Sequence, residues 1–124
     1  MPGYVDQTLR VERRLQNEVV IFDLEGNLDS HNTMIIKDHV GAAVDDGNKL
    51  ILVNLSGVNY VDSAGLASLV GAIKAAREKN ARVFLAGMSE SVKSVVEMTR
   101  LNRVLSIFDT VESATAALTS GSGG

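Results

Sequence analysis

The stretch from Lys49 to Lys79 constrains the fold more than any other part of the chain. It opens with a nearly continuous apolar run, Leu50–Leu55, which only Asn54 interrupts. A run of this kind is typical of a strand that is buried on both faces, as in a sheet covered by helices. Further on, apolar residues recur at the spacing of one helix face: Leu66, Leu69, Val70 and Ile73. The stretch therefore predicts a strand, a loop and a helix, with Asp62 and Ser63 where the helix begins.

The predicted start of this helix has two interpretations. A Ser or Asp at such a position commonly accepts hydrogen bonds from the free N–H groups of the first turn, so Asp62 and Ser63 both suit a helix cap. Gly65 does not fit that explanation, because glycine inside a helix costs about 1 kcal/mol relative to alanine. Together with the small Ala64, it would let another surface approach the Ser63 hydroxyl. The residues alone leave a capping Ser63 and a functional Ser63 both open.

Composition excludes several classes of function. A chain of 124 residues is long enough for one domain with a real core and too short for two. The net charge of −3, with no basic stripe, argues against direct binding of nucleic acid. The absence of cysteine excludes disulfides, cysteine–zinc sites and thiol catalysis. No run approaches the roughly 20 apolar residues of a membrane span and no apolar signal region is seen, so we expect no membrane contact and a cytoplasmic location.

The order of the predicted elements indicates an α/β domain with a mixed sheet. Strands are predicted at Gln7–Leu15, Val19–Glu25, Leu50–Leu55 and Arg82–Ala86, with a weak strand at Ser106–Asp109. Helices are predicted up to Val44, from the Asp62–Ser63 region to Asn80, from Gly87–Ser89 onwards, and from a capping box at Asp109 and Glu112 to Leu118. The first two strands should form a hairpin, and the later ones should be parallel neighbours joined by right-handed crossovers. We expect the domain to span residues 1–118 and the TSGSGG tail, residues 119–124, to be disordered.

Two predicted loops should meet at one edge of this sheet. One is GNLDSHN at Gly26–Asn32, and the other begins with turn-forming Ser56, Gly57 and Asn59 and ends in VDSAGL. Each follows a strand and precedes a helix. Sites for ligands and partners in such sheets lie at the carboxyl ends of the strands. We therefore expect Asp29 and Ser63 to lie on the same edge.

Enzymatic and metal sites find little support in the residues. A serine hydrolase needs a histidine beside an activated serine, but no motif places His31 or His39 against Ser63, and the G-x-S-x-G pattern is absent. The spacing of Asp29, His31, Asp38 and His39 fits no recognised metal site, and no phosphate-binding glycine motif occurs. We expect His31 to face solvent and His39 to lie on a helix surface. We also expect no catalytic residue, no metal and no cofactor.

Two motifs resemble a known family. The run NLSGVNYVDSAGL resembles the signature of STAS-domain anti-sigma factor antagonists, which is Asp-Leu-Ser, a spacer, an apolar residue and Asp-Ser-Ser/Thr-Gly-Leu. The stretch GNLDSHN resembles the family's Gly-x-Leu/Ile-Asp motif, and the two motifs lie at the family's spacing. The resemblance covers Val5 to Leu118. It implies a STAS-like single α/β domain, with a mixed β-sheet of about four to five strands and about four α-helices.

The resemblance also implies a function. The unphosphorylated protein would bind an anti-sigma factor that is also a serine kinase of the histidine-kinase-like ATPase type, and would so release the sigma factor. The kinase would phosphorylate Ser63 and the complex would dissociate, and a PP2C-type serine phosphatase would restore the hydroxyl. The residues that map onto the family's partner-binding surface are Asp29, Ser30, Asp62, Ser63, Ala64, Gly65 and Leu66.

Two residues depart from the family pattern. Ala64 stands where the family often has a second hydroxyl, which leaves Ser63 as the only phosphorylation candidate in the motif. Asn54 replaces the aspartate of Asp-Leu-Ser, which puts any charge or metal role of that aspartate in doubt. The alternative interpretation keeps the STAS fold as a binding module for a nucleotide, a lipid or a signalling complex, with no sigma-factor output and with Ser63 as a helix cap.

Overall fold

A five-stranded sheet with four α-helices packed on it makes up the described part of the chain, residues 9–120 of this computed structural model. The strands are β1 (Leu9–Gln16), β2 (Val19–Leu28), β3 (Leu50–Val61), β4 (Arg82–Ala86) and β5 (Ile107–Phe108). The helices are α1 (Thr33–Asp45), α2 (Ser63–Glu78), α3 (Glu90–Met98) and α4 (Val111–Ser120), with a 3₁₀ turn at Leu101–Arg103. The predicted α/β class, strand number and helix number are confirmed.

The strands lie in the sheet in the order in which they occur in the chain, β1-β2-β3-β4-β5. The β1–β2 pair is antiparallel and every other neighbouring pair is parallel, as the order of the elements in the sequence predicted. The hairpin turns at Asn17 and Glu18, whose φ angles of 51° and 72° are both positive. Two successive residues of this kind give a turn whose twist matches that of the flanking strands. The hairpin is confirmed; Gln7 and Thr8 lie outside the described residues.

The helices form two layers around the sheet. The larger apolar cluster lies between the sheet and α1, α2 and α3, and the smaller one lies beneath α4. In β3, Ile51 and Val53 face the larger cluster and Leu52 faces the smaller one, each with 0% of its surface exposed. Burying such a side chain stabilises the fold by about 1.5–3 kcal/mol. The apolar run at the start of β3 therefore anchors both layers, as its pattern predicted.

The carboxyl ends of β2 and β3 extend further than the sequence predicted. The expected loop at Ser56–Asn59 is wrong, because β3 continues to Val61. Likewise β2 continues past Gly26 to Leu28. The two extensions pair with each other, Leu28 opposite Val61, after two register shifts. The second shift lies between Gly26 and Asn27, where Gly26 adopts a φ of 121°. Ladder pairing between the strands therefore overrides the local turn preference of these residues.

Ion pairs explain where α1 ends. Two aspartates at the negative end of a helix are unfavourable, yet α1 runs one residue past the predicted end at Val44, to Asp45. Asp45 Oδ1 lies 3.1 Å from Lys79 Nζ, and Asp46 Oδ2 lies 3.2 Å from an Arg13 guanidinium nitrogen. Cations from α2 and β1 therefore compensate these carboxylates.

The predicted capping box of α4 is displaced by one residue. The Ser113 N–H donates to Thr110 Oγ1 at 3.0 Å, and the Thr110 N–H donates to Ser113 Oγ at 3.3 Å. This reciprocal pair replaces the expected pair of Asp109 and Glu112. The helix reaches Ser120, so it takes in the first two residues of the predicted tail, and residues 121–124 lie outside the described part. No helix within residues 9–120 combines the length and apolar character that crossing a membrane requires.

Candidate functional site

The two loops expected at one edge of the sheet are in direct contact. The Asp62 N–H donates to the carbonyl oxygen of Leu28 at 3.2 Å, and the Ser30 N–H lies 3.4 Å from Asp62 Oδ2. Because β2 and β3 are parallel neighbours, their paired ends deliver the two loops to the same place. The predicted meeting of the loops is confirmed, with Asp62 as the residue that joins them.

Asp62 caps α2, and Ser63 does not. Asp62 Oδ1 accepts a hydrogen bond from the Gly65 N–H at 2.8 Å, which makes Asp62 the N-cap residue. Ser63 is the first residue of the helix and is exposed. Within residues 9–120, the Ser63 hydroxyl forms no hydrogen bond. Of the two interpretations of Ser63, the capping one is therefore wrong.

The structure gives Gly65 a different role from the one its sequence context suggested. A Cβ atom at Gly65 would lie 2.5 Å from the carbonyl carbon of Leu28 and 3.0 Å from the amide nitrogen of Asp29. Gly65 is thus required because α2 packs directly on the backbone at the end of β2, not because it opens the way to Ser63. Leu66, the next residue, is only 2% exposed and belongs to the larger core cluster. Both residues lie beneath the surface that Ser63 and the half-buried Ala64 form.

A network around Asn32 shapes the loop that carries Asp29. Asn32 Oδ1 accepts from the Asp29 N–H at 3.0 Å, and Asn32 Nδ2 donates to the Asn27 carbonyl at 2.9 Å. Asn32 is the residue that precedes α1, but its side chain makes no cap hydrogen bond to that helix. Asp29 Oδ1 in turn accepts from the His31 N–H at 2.9 Å and lies 3.4 Å from His31 Nδ1. The loop is thereby held against the start of α2 with Ser30 exposed.

Comparison with known proteins identifies the family. A sequence profile of the STAS domain matches residues 10–114. The chain belongs to the STAS domain family.

Relatives of this STAS domain include anti-sigma factor antagonists. The Staphylococcus aureus (strain NCTC 8325 / PS 47) anti-sigma-B factor antagonist is 27% identical over 104 residues, which cover 84% of this chain and 96% of the relative. The crystal structure of a putative anti-sigma factor antagonist from Thermotoga maritima has a TM-score of 0.75 and 27% identity, and the match covers 86% of this chain and 92% of that one. The Bacillus cell fate determinant SpoIIAA, solved in its phosphorylated form, has a TM-score of 0.66 and 23% identity over 89% of this chain and 98% of that one, and supports the fold.

The departure of Asn54 from the STAS pattern has a structural reason. Asn54 Nδ2 donates to Asp23 Oδ1 at 2.7 Å, while Asn54 Oδ1 accepts from the Ser56 N–H and hydroxyl at 3.1 and 2.8 Å. The Arg14 guanidinium, 2.6 Å from Asp23 Oδ2, and secondarily the Asn54 amide hold the pKa of Asp23 below its usual range, against the opposing effect of partial burial. An aspartate at position 54 would face the Asp23 carboxylate, so the amide satisfies both neighbours where a second carboxylate would not.

Two exposed apolar side chains flank the meeting loops, and no motif pointed to them. Tyr60, 52% exposed, lies on β3 opposite Asn27 and two residues before Asp62. Met34, 59% exposed, lies in the first turn of α1, two residues after Asn32. We call Tyr60 and Met34 the apolar rim of the site. Their sequence signal was weak, because an apolar residue at these positions also fits a strand or helix face that is buried.

Within residues 9–120, the polar contacts of the two histidines are with residues other than Ser63. His31 is exposed, as predicted, with 81% of its side chain accessible. His39 is only partly on the helix surface, because its ring packs edge-on against Phe22 with centroids 5.8 Å apart and its Nδ1 lies 2.8 Å from the Ile35 carbonyl oxygen. Within residues 9–120, no three His, Asp or Glu side chains are grouped as a metal ion would require.

Proposed function

We propose that this STAS domain is an anti-sigma factor antagonist that works by partner switching. In its unphosphorylated form it binds an anti-sigma factor that is also a serine kinase of the histidine-kinase-like ATPase type, and so releases the sigma factor. Phosphorylation of Ser63 ends the binding, and a PP2C-type serine phosphatase reverses it. The relatives described as anti-sigma factor antagonists support this proposal.

The observation that carries the proposal is the state of the Ser63 hydroxyl. Asp62 has taken over the capping of α2, so the exposed Ser63 hydroxyl contributes nothing to the fold that phosphorylation would remove. In the transfer, the Ser63 oxygen would bond to the γ-phosphorus of ATP, ADP would leave, and the hydroxyl proton would pass to a base of the kinase. Ala64 offers no competing hydroxyl.

The domain should tolerate a phosphate at Ser63. The phosphate adds a charge of about −1.5 to −2 at the positive end of the α2 dipole, where anions are favourable. A Bacillus protein of the same fold has itself been solved in a phosphorylated form. We therefore expect disruption to arise at the interface and not within the fold.

The interface with the kinase should not tolerate a phosphate at Ser63. The phosphate would stand beside the Asp62 carboxylate, and the Asp29 carboxylate belongs to the adjoining loop. A partner that packs closely on the first turn of α2 would face concentrated negative charge and three additional oxygens. A loss of about 2–4 kcal/mol would weaken binding roughly 30- to 1,000-fold.

The partner surface combines a polar centre with apolar contacts. The exposed polar residues at its centre are Ser30 and Ser63, with the half-buried Asp29 and Asp62 between them. Tyr60 and the rest of the apolar rim offer the apolar area that the centre lacks, and an exposed Tyr is a frequent anchor of protein interfaces. Gly65 and Leu66, which the family resemblance placed on the contact surface, would act from below by fixing the first turn of α2.

The proposal is tested with the kinase of the same pathway, ATP and the purified domain. Intact-mass spectrometry should show one added phosphoryl group on the wild type and none on Ser63→Ala. Ser30→Ala is the matched control, since Ser30 is an exposed serine of the adjoining loop. Calorimetry should show tight binding of the kinase to the wild type and to Ser30→Ala. Binding to Ser63→Asp should be weaker than binding to the wild type, by up to about 30-fold. Tyr60→Ala should weaken binding while leaving the melting temperature unchanged.

Two results would overturn the proposal. One is phosphorylation that persists on Ser63→Ala. The other is a phosphorylated wild type that binds the kinase as tightly as the unmodified protein. In either case the binding-module alternative, with a nucleotide, a lipid or a signalling complex as its ligand, would explain the domain better.

A further inference from the structure

A polar pocket lies far from Ser63. It has a volume of about 80 Å³ and lies between the end of α2, the start of β4 and the segment that precedes β5. Arg77, Arg82, Val104 and Ser106 contribute to its walls. Arg77 is 14 residues along α2 from Ser63, which corresponds to about 21 Å of helix. A ligand in this pocket would therefore not touch the candidate partner surface.

Two arginines bring uncompensated positive charge to this pocket. Three arginines of the described chain pair with carboxylates: Arg10 with Glu25, Arg13 with Asp46 and Arg14 with Asp23. Within residues 9–120, neither Arg77 nor Arg82 lies in an ion pair. The feature stands out because the protein as a whole carries a net charge of −3. A pocket lined by two arginines that no carboxylate neutralises favours an anion.

The guanidinium of Arg82 is held in place by the core. Its Cζ atom lies 5.1 Å from the ring centroid of Phe84, so the cation is attracted to the face of the aromatic ring. Phe84 is only 5% exposed and lies in the cluster beneath α4, so the ring is fixed. Arg77 reaches the pocket from the other layer, because α2 lies on the opposite face of the sheet. Arg77 and Arg82 therefore line the pocket from the two faces of the sheet.

The backbone adds a donor at the same edge. The Arg82 N–H donates to the Lys49 carbonyl on the β3 side, and the Leu85 N–H donates to the Ser106 carbonyl on the β5 side. Since successive N–H groups of a strand alternate in direction, the Val83 N–H points to the β5 side. There β5 has not yet begun, because its pairing with β4 starts at Leu85. The Val83 N–H thus points toward the pocket, which Ser106 lines on the β5 side.

We propose that this pocket binds the phosphate group of a small soluble molecule, through Arg77, Arg82 and the Val83 N–H. A volume of about 80 Å³ holds several water molecules and so accommodates a tetrahedral oxyanion. The exposed side chain of Val104, 64% accessible, offers an apolar wall beside the charge, which suits a phosphate that carries an organic group. Inorganic phosphate and a phosphate monoester share this chemistry. The proposal does not depend on the function of Ser63.

The test is a titration of the ¹⁵N-labelled full chain with inorganic phosphate and, separately, with AMP. Amide chemical shifts monitor binding, and sodium chloride keeps the ionic strength constant. We expect saturable shifts at Val83 and Ser106, with a dissociation constant in the millimolar range for inorganic phosphate and a lower one for AMP. Arg77→Gln and Arg82→Gln should each weaken binding about tenfold. The matched control is Lys37→Gln, which removes an exposed cation of α1 outside the pocket and should leave binding unchanged.

Other outcomes separate the possibilities. Equal affinity for inorganic phosphate and AMP would retain the anion site and reject the apolar wall. Shifts that do not saturate, or that Lys37→Gln reduces as much as Arg82→Gln, would overturn the proposal. If an arginine variant fails to fold, Val104→Glu decides instead, because it places a carboxylate on the exposed wall without removing a core contact and should abolish the shifts.

Discussion

Replacement of Gly65 by alanine sets two physical effects against each other. Gly65 lies in the first turn of α2, where helix propensity alone favours alanine by up to about 1 kcal/mol. Against this, the new Cβ atom would lie 2.5 Å from the Leu28 carbonyl carbon. That carbon belongs to a backbone held by the β2–β3 ladder and by the hydrogen bond from Asp62. Because backbone cannot turn aside as a side chain does, we place the cost at about 3 kcal/mol or more, the upper end for overpacking.

The net expectation for Gly65→Ala is a loss of at least about 2 kcal/mol in the free energy of unfolding, or roughly 8 °C in melting temperature. Gly71→Ala is the matched control in the same helix. The nearest atom to its Cβ would be the flexible Lys37 Cε at 3.8 Å, so propensity should dominate and stability should rise by about 0.5–1 kcal/mol.

Urea denaturation followed by circular dichroism measures both variants under the same conditions. The reasoning predicts opposite signs at the two glycines. It would be refuted if Gly65→Ala were as stable as the wild type, or if Gly71→Ala were destabilised to the same extent. Partner binding should fall with Gly65→Ala as well, because the first turn of α2 and with it Ser63 must shift away from β2.

Three further predictions concern the polar residues around the sheet edge. Asn54→Asp should lose about 1–3 kcal/mol at neutral pH, because a second carboxylate would replace the amide that donates to Asp23. Adding Asp23→Asn should recover part of this loss in the same urea assay, and no recovery would argue against the contact. The lowered pKa of Asp23, caused first by its hydrogen bond with Arg14, means that this pair stabilises the fold above the usual carboxyl pKa, and that the contribution is lost as pH falls through the lowered value. The stability difference between wild type and Arg14→Gln, followed from pH 7 down to about pH 2, should therefore shrink at acid pH, and a constant difference would contradict it. Asp62→Ala should cost about 1 kcal/mol through loss of the α2 cap, whereas Ser63→Ala should change stability by less than about 0.5 kcal/mol. Thermal melts that rank the two variants the other way round would restore Ser63 as the cap.

Much of the candidate site was predictable because it rests on local rules. The apolar run of β3 and the stripe of α2 fixed the place where α2 begins, and Asp62 is a residue type that caps helices. The rule that parallel strands end at one edge then brought together the two loops that carry Asp29 and Ser63. What the sequence left open was which of Asp62 and Ser63 caps the helix, since both types can do so.

Long-range contacts decided the parts that pattern reading missed. Ser56 and Gly57 are turn-forming residues, yet they lie in β3, because pairing with the end of β2 outweighs a weak local preference. The reason for Gly65 could not be read from the chain, because the atoms it must avoid belong to residues 28 and 29, far away in sequence.

The same distinction applies to Asn54. As a departure from the family pattern it suggested only the loss of an aspartate, whereas the structure shows it between Asp23 and Ser56. The sequence by itself determined the order of the elements, the position of the α2 start and the residue types gathered there, because periodicity, capping and turn chemistry depend on neighbours along the chain. Only the tertiary structure decided which hydroxyl is free, which glycine is obligatory and which amide pairs with a carboxylate, because those properties depend on atoms that folding brings within a few ångströms.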